Sequence, residues 1–217
     1  MSTLYGATPF ANYKLTLQGE SWTGDWKNRS QWNLDIVNNN PRLVVWPRNP
    51  KEDGKKTEDG RRELTKLPIS MLMGAYDLMA LLALMETKII PNPDQSMFEM
   101  HFKGRKYDAG GNPVAGEIEV KSKLVFGRDA DGVIYFIASE KGRDKPVYKF
   151  KGSDWTPILQ NGADIPIGLN SNLAAQGFID AVRTLFGPVM TKFHIPEVKE
   201  GKTDTPVSAV TDAVADW

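Results

Sequence analysis

Tryptophan and basic residues alternate in one short part of the chain, a combination that suits a single-stranded nucleic acid. Four of the six tryptophans lie between residues 22 and 46, among lysines and arginines. Aromatic rings stack on any base and cationic side chains pair with any phosphate, so the pattern is typical of sequence-tolerant single-strand binding. The candidate contacts are Trp26, Lys27, Arg29, Trp32, Arg42, Trp46 and Arg48. The alternative is that the rings form core, which suits Trp22 and Trp46 better than Trp26 and Trp32, because polar residues surround the latter pair.

A second group of cations lies in an alternating segment further along the chain. Residues 101–151 contain eleven Lys or Arg against seven Asp or Glu. Side chains of a strand alternate between its two faces, so neighbours two apart share a face. If the faces coincide, the sheet presents a basic surface of Lys103, Arg105, Lys121, Lys123, Lys149 and Lys151, with His101 and Tyr107 among them. The alternative is that lysine is simply a favourable solvent-facing strand residue, since Glu99 and Glu119 dilute the positive charge.

The C-terminal residues combine acidic charge with a regular apolar spacing. Residues 203–217 contain three aspartates and no Lys or Arg, so all 27 basic residues but only 24 of the 27 acidic ones precede them. Val207, Val210, Val214 and Trp217 are three or four residues apart and would line one stripe of a short helix folded on a partner. The predicted partner-binding residues are Asp212, Val214, Asp216 and Trp217. A disordered end without any partner would have the same composition.

Most catalytic and metal-binding patterns are excluded. The chain has no Cys and only two His, which removes disulfides, thiolate nucleophiles and Cys-rich zinc sites. It contains no phosphate-binding loop, no Gly-x-Ser-x-Gly elbow and no His-Glu-x-x-His motif. Pro93-Asp94 followed by Glu119-Val120-Lys121 matches the skeleton of restriction-type nucleases, although acid-x-Lys matches are frequent by chance. We therefore expect no enzyme and no cofactor or metal, with a metal-dependent nuclease as the less favoured alternative.

The composition indicates a globular protein of the cytoplasm. Its 217 residues balance 27 basic against 27 acidic side chains, and 41% are hydrophobic. The N-terminus lacks the basic and apolar regions of a secretory signal. The most apolar stretch, residues 67–85, contains Pro68, Gly74 and Asp77, so we expect a buried helix and no membrane partner.

Hydrophobic periodicity predicts an α+β fold. Residues 10–17 and 34–36 have the period-two pattern of strands, the apolar run at 43–46 ends at Pro47 and also predicts a strand, and residues 98–151 predict a four-stranded antiparallel meander. A first helix is expected over residues 67–90, and a second is expected to be capped by Asn170 and Ser171 and to end at Gly187-Pro188. The predicted architecture is an antiparallel sheet, made of the meander plus N-terminal strands, packed against two main helices.

The predicted domain organisation is one unit over residues 1–196, with a mobile charged loop at 47–66, and a disordered acidic tail over residues 197–217. Because one small sheet covers only one side of such an apolar first helix, we also expect self-association into a homo-oligomer.

The layout resembles a family of single-stranded DNA-binding RNA polymerase cofactors from podoviruses, the Drc-like proteins. The resemblance rests on Ser21-Trp22-Thr23-Gly24-Asp25-Trp26, the helix from Ile69 to Met85, the meander from Phe98 to Lys151 and the acidic tail ending at Trp217. It implies sequence-tolerant binding of single-stranded DNA on a fold unlike the OB barrel, and recruitment of phage RNA polymerase to middle promoters in the cytoplasm of an infected bacterial host. The tail is also similar to the acidic tips of bacterial and phage single-stranded DNA-binding proteins, which recruit partners and compete with DNA for the basic groove.

The function expected from these features is sequence-tolerant single-stranded DNA binding in phage transcription or replication. The main alternative is an oligomeric virion or assembly protein whose sheet and first helix serve self-association.

Overall fold

Antiparallel β-structure packed with two helices forms the fold, as predicted, but the N-terminal strands and the meander form two separate four-stranded sheets. The computed structural model describes residues 18–21, 29–37, 40–46, 53–56, 62–64, 68–143, 145–152 and 156–192. The strands are β1 (Gln18–Ser21), β2 (Arg29–Val37), β3 (Asn40–Trp46), β4 (Asp53–Lys56), β5 (Arg62–Leu64), β6 (Ile69–Leu72), β7 (Ser96–Tyr107), β8 (Pro113–Arg128), β9 (Ile134–Glu140), β10 (Val147–Lys149), β11 (Leu159–Gln160) and β12 (Ala163–Asp164). The helices are α1 (Ala75–Leu84), continued by a π-helical turn (Met85–Ile89), and α2 (Ile167–Lys192).

Sheet 1 has the strand order β1-β2-β3-β6 and sheet 2 the order β10-β9-β8-β7. Sheet 2 is the predicted meander, and β2 and β3 contain the strands predicted at 34–36 and 43–46. Two short hairpins, β4–β5 and β11–β12, complete the described strands. The predicted strand at 10–17 and the predicted tail at 197–217 lie outside the described residues.

The two sheets and both helices share one hydrophobic core. Trp32 on β2 packs edge-on against Phe136 of β9, with ring centroids 5.9 Å apart, and against Phe178 of α2 at 5.3 Å. Phe136 in turn contacts Phe150 just after β10, at 5.1 Å. Because one indole contacts both sheet 2 and α2, it fixes the position of sheet 1 against the rest of the core.

The first helix is shorter than predicted. Residues 69–72 form β6, which pairs antiparallel with β3, and α1 begins only after Gly74. Ile69 and Met71 are buried while Ser70 and Leu72 are exposed, which is strand periodicity rather than helical periodicity. The backbone N–H of Gly74 donates a 2.8 Å hydrogen bond to the Asp77 carboxylate, so Asp77 caps the start of the helix.

The apolar side chains of α1 do not require a second copy of the chain. Leu78, Leu81 and Leu82 are buried in the common core with residues of both sheets and α2. The buried side of the helix is therefore covered by residues of both sheets and α2 and not by one sheet alone, while Tyr76 on its other side is 91% exposed. The expected self-association stays a prediction.

Part of the predicted mobile loop at 47–66 is a hairpin. Asp53–Lys56 pairs antiparallel with Arg62–Leu64, so the prediction of a loop without secondary structure was wrong for these residues.

The second helix is longer than predicted because its polar residues bond to other elements. It begins at Ile167 and passes through Pro188 to Lys192. Ser171 lies inside it, and its hydroxyl accepts a 2.8 Å hydrogen bond from the backbone N–H of Ile134. Residues expected to cap the helix are therefore interior to it, and at least one of them ties it to sheet 2.

A buried arginine joins four segments of the chain. Arg128, at the end of β8, is only 2% exposed. Its Nη1 donates to the carbonyl of Gly132 at 2.5 Å, and its Nη2 donates to the carbonyls of Ile89 and Ile90 and to Asn172 Oδ1 at 2.9, 3.2 and 2.6 Å. The carbonyls of Ile89 and Ile90 lie at the end of the π-helical turn, where a cation is favoured by the helix dipole. Burial lowers the pKa of the Arg128 guanidinium, an effect that the neighbouring Asp129 carboxylate opposes.

Replacing Trp32 with alanine should destabilise the fold. The Trp32→Ala change removes a buried ring that contacts both sheet 2 and α2, so we expect a loss of about 3 to 5 kcal/mol in the free energy of unfolding. Urea denaturation followed by circular dichroism measures the loss, and Tyr76→Ala is the matched control because the Tyr76 side chain is 91% exposed. An unchanged midpoint for Trp32→Ala would mean that the ring is not part of the core.

Replacing Arg128 with lysine should also be costly, although the charge is kept. One ammonium cannot reproduce the fork that reaches three carbonyls and Asn172, so we expect a loss of about 2 kcal/mol or more. Arg183→Lys is the matched control, because Arg183 forms an exposed ion pair with Glu86, and its melting temperature should move much less. Equal shifts in melting temperature for the two variants would show that the buried hydrogen bonds of Arg128 stabilise the fold no more than the exposed ion pair of Arg183.

Candidate nucleic-acid interface

Sheet 2 has one face in the core and one face turned away from it. Phe98, Phe126 and Phe136 pair across β7, β8 and β9, and each points into the core or packs against it. Side chains alternate along a strand, so the residues between them lie on the opposite side. We call this side the outer face; it comprises Met97, Glu99, His101, Lys103, Arg105, Lys123, Val125, Tyr135, Ile137, Ser139, Val147 and Lys149.

A groove of about 600 Å³ runs over this outer face. It is lined by Met97, Glu99, Val120, Lys121, Ser122, Lys123, Val125, Ile137, Ser139, Glu140, Lys141, Gly142, Arg143 and Lys145. The lining thus combines four large apolar side chains with five cations and two carboxylates. A surface of this kind attracts an anion and also offers it a nonpolar contact.

The carboxylates of the groove are partnered. His101 Nε2 lies 2.6 Å and Lys123 Nζ lies 3.1 Å from Glu99, and these contacts hold the pKa of Glu99 below its usual value. Glu140 accepts a 3.1 Å hydrogen bond from Arg143. Lys141 and Lys145 are exposed and form no ion pair with another described residue. The hairpin loop between β9 and β10 therefore supplies the most available positive charge.

Half of the β7–β8 hairpin projects beyond the sheet. β9 pairs with β8 only from Ser122 to Arg128, so residues 103–121 form a two-stranded extension that we call the β7–β8 arm. On its outer face Lys103 pairs with Val120 and Arg105 pairs with Ile118, whose side chain is 69% exposed. Lys103 and Arg105 thus each lie beside an exposed aliphatic side chain, which extends the character of the groove.

A bulge removes Lys121 from the predicted basic surface. Ser122 pairs with Phe102 but Val120 pairs with Lys103, which leaves Lys121 without a partner position. Its ammonium bonds to Glu119, which lowers the pKa of Glu119, and lies 5.1 Å from the centre of the Tyr107 ring. Lys121 thus leaves the regular strand alternation at the bulge, yet it lines the same groove as Lys123.

The other members of the predicted basic surface are divided. Lys103, Arg105, Lys123 and Lys149 are on the outer face, and Lys149 lies 3.0 Å from the Asp129 carboxylate. Lys151 is exposed beyond the end of β10. The predicted face therefore exists with four of its six cations on it.

The tryptophan-rich segment contributes less than predicted. Trp32 is 1% exposed and belongs to the core, so its assignment as a stacking platform was wrong. Its neighbours in sequence are polar because the alternate residues of β2 face away from the core. Arg42 and the half-buried Trp46 share the face of sheet 1 that points away from the core, and Arg42 pairs with Asp35 at 2.5 Å.

Several predicted residues lie outside what the structure describes. They are Trp26, Lys27, Arg48, the side chain of Arg29, and the tail residues Asp212, Val214, Asp216 and Trp217. Their assignments stay predictions.

Sequence reasoning missed the apolar side chains of the groove and one aromatic ring. Met97, Val125 and Ile137 fall at strand positions opposite to the core aromatics, so strict alternation would have placed them outside. Tyr135 on the outer face is half-buried and flanked across the sheet by Gly127 and Lys149. Aliphatic residues at outward positions are the signal that was available.

The geometry does not support the nuclease skeleton. Asp94 precedes β7, whereas Glu119 pairs with Gly104 in the β7–β8 arm. The strand from Ser96 to Gly104 spans about 26 Å at about 3.3 Å per residue, so the two carboxylates cannot hold one metal ion. Among the described residues, no group of three or more His, Asp or Glu is placed to bind a metal.

No helix in the described part of the chain is both long and apolar enough to cross a membrane. Comparisons of the chain with protein-family models, with curated proteins and with solved structures give no match.

Proposed function

We propose that this protein binds single-stranded DNA, with little sequence preference, on the outer face of sheet 2. The observation that carries the proposal is the groove, in which Met97, Val125 and Ile137 lie among cationic side chains on a sheet face that no described element covers. Large apolar residues facing solvent beside positive charge match a ligand that has both nonpolar faces and anionic links. A single strand has this chemistry, since its bases are unpaired and its phosphates remain accessible.

The kinds of side chain in the groove support low specificity. Aliphatic side chains contact the face of any base, and ammonium groups pair with any phosphate. Sequence readout would require an array of side chains that hydrogen-bond base edges, such as Asn, Gln or bidentate Arg. In the groove the guanidinium of Arg143 is already bonded to Glu140, which leaves it less able to read a base.

The β7–β8 arm provides a natural extension of this path. Lys103 and Arg105 continue the line of cations beyond the groove, with Val120 and Ile118 beside them. A strand bound in the groove would continue along the arm with the same type of contact. Tyr107, 52% exposed at the end of β7, offers a ring for stacking.

We place this activity in phage transcription or replication, within the host cytoplasm. The proposed partner is a phage-encoded RNA polymerase that is recruited to melted promoters, with Asp212, Val214, Asp216 and Trp217 as the contact segment. The charge distribution supports a separate role for the tail, because residues 203–217 are acidic while the groove is cationic.

An assembly protein is the second candidate. Ile158, Leu159, Ile167, Leu169 and Leu173 are all about half exposed near the start of α2. Exposed apolar residues concentrated in one part of a protein are typical of a protein–protein interface.

Fluorescence anisotropy with a labelled single strand and the matching duplex separates these functions. The titrations are made at low and moderate salt with magnesium present, and the DNA is recovered on a gel afterwards. Tight, salt-sensitive binding to the single strand with intact DNA supports the proposal. Binding to neither form would favour the assembly protein, and cleaved DNA would favour the nuclease.

Reversing two charges of the β9–β10 loop should weaken binding. Replacing Lys141 and Lys145 with glutamate removes two exposed cations, so we expect at least a tenfold loss of affinity and a salt slope about 1.4 shallower, at about 0.7 per phosphate contact. Lys88→Glu is the matched control, because Lys88 is exposed on the π-helical turn and does not line the groove. Equal losses for the loop variant and the control would show that the groove does not hold the phosphates.

Removing residues 203–217 should leave DNA binding intact or tighten it. The deletion removes three aspartates and no basic residue, so it reduces repulsion between the protein and the phosphates. The same anisotropy titration measures the change, and co-precipitation with the purified phage polymerase tests whether the partner is lost. A large loss of DNA affinity would instead make the tail part of the DNA site.

A further inference from the structure

β7 is an open edge of sheet 2. It is the last strand in the order β10-β9-β8-β7, and no described strand pairs with its other side. The opposite edge is different, because β10 lies against β1: a Cβ atom added to Gly19 would be 3.1 Å from the carbonyl oxygen of Val147. An unpaired strand of 12 residues presents a long row of backbone donors and acceptors to any strand that can match it.

The hydrophobic core also stops short at this edge. Phe126 on β8 and Phe136 on β9 are each 2% exposed. Phe98, Met100 and Phe102 lie on the same side of β7 but are only half-buried. On the outer face Met97 is 66% exposed. Another strand beside β7 would cover apolar surface on both sides of the sheet, in addition to forming backbone hydrogen bonds.

We propose that β7 pairs antiparallel with β7 of a second copy of this chain, about a twofold axis at His101, so that two copies of sheet 2 form one eight-stranded sheet. In this register Met100 faces Phe102 of the other copy on the core side. On the outer face Glu99 faces Lys103, and by symmetry each of these pairs occurs twice. Opposite charges in such positions stabilise a pair of strands, and like charges destabilise it.

The pairing of Glu99 with Lys103 defines this register among its neighbours. Side chains on one face must remain on that face, so the axis passes through a residue of β7. An axis at Phe102 would set Glu99 against Arg105 but would put Lys103 opposite His101, and an axis at Met100 would set Glu99 against His101. The axis at His101 sets Glu99 against Lys103 and Met100 against Phe102, so exchanging the charges of Glu99 and Lys103 distinguishes it from the other two.

This dimer is independent of DNA binding, although it would change the DNA site. The two outer faces would become neighbours in one continuous sheet, with a groove on each side of the axis. A bound strand would then meet two grooves in succession.

Disulfide trapping tests the register directly, because the chain contains no Cys. His101→Cys places two thiols on opposite sides of the axis, where directly facing residues have Cα atoms about 4.5 to 5.5 Å apart, within reach of a disulfide. Under mild oxidation without DNA, we expect most of this variant to become a covalent dimer. Lys88→Cys is the matched control, since its exposed thiol lies on the π-helical turn, and it should remain largely monomeric.

A charge exchange tests the same pairing without cross-linking. Glu99→Lys and Lys103→Glu should each raise the dimer dissociation constant about tenfold, because each turns two attractive pairs into repulsive ones. The double variant restores opposite charges and should return the constant to within about threefold of the original. Sedimentation equilibrium measures all four proteins, and circular dichroism confirms that each is folded.

Three results would overturn the proposal. They are a monomer for the unchanged chain at tens of micromolar, equal cross-linking of His101→Cys and Lys88→Cys, and a double variant as weak as the single ones. A monomer would mean that another segment of the same chain, or a different protein, covers β7. If the protein is a monomer and still binds DNA, the dimer proposal fails while the proposed function stands.

Discussion

The buried guanidinium of Arg128 is the constraint on which the arrangement of the elements depends. Arg128 ends β8, and its hydrogen bonds reach the turn before β9, the end of the π-helical turn and the first part of α2. Two of the three carbonyls that it bonds, those of Ile89 and Ile90, belong to a helix end, where carbonyls lack intrahelical partners. No described carboxylate hydrogen-bonds to Arg128, and the dipoles of the helix end and the neighbouring Asp129 carboxylate both favour its charge. Because a buried cation requires its acceptors, sheet 2 and both helices have one mutual position in which the charge is satisfied.

Among the described elements, both helices and sheet 1 pack against the side of sheet 2 that carries Phe126 and Phe136. On the outer face, aliphatic residues lie beside cations from strand β8 and from the β9–β10 loop. The core and the candidate DNA site thus have one cause: the alternation that buries the aromatics also turns Met97, Val125 and Ile137 outward. The bulge at Lys121 interrupts this alternation where the groove meets the β7–β8 arm.

The sequence predicts the class of the fold and most of its strands because hydrophobic alternation is strong in sheet 2. It fails where a short apolar run fits two structures. Residues 69–72 continue smoothly into a helical pattern, and only their pairing with β3 makes them a strand. Ser171 has the chemistry of a helix cap, yet its hydroxyl serves the backbone of β9. Only part of the candidate site could be predicted. Cations two apart in one strand indicate that they share a face of that strand, but strand register and bulges determine which faces of neighbouring strands form one surface of the sheet. Trp32 shows the limit, since polar neighbours in a strand say nothing about the side on which the ring itself lies.

The length of β8 has a consequence for motion. Its 16 residues begin in the solvent-exposed β7–β8 arm and end at Arg128 in the core. The backbone amides near Arg128 are protected by neighbours on both sides, whereas those in the arm are shielded only by β7. Amide hydrogen exchange should therefore slow by orders of magnitude from one end of this single strand to the other. The outer half of β8, which carries Ile118 and Val120, should therefore open locally at a lower free energy than the inner half, which is held in the core.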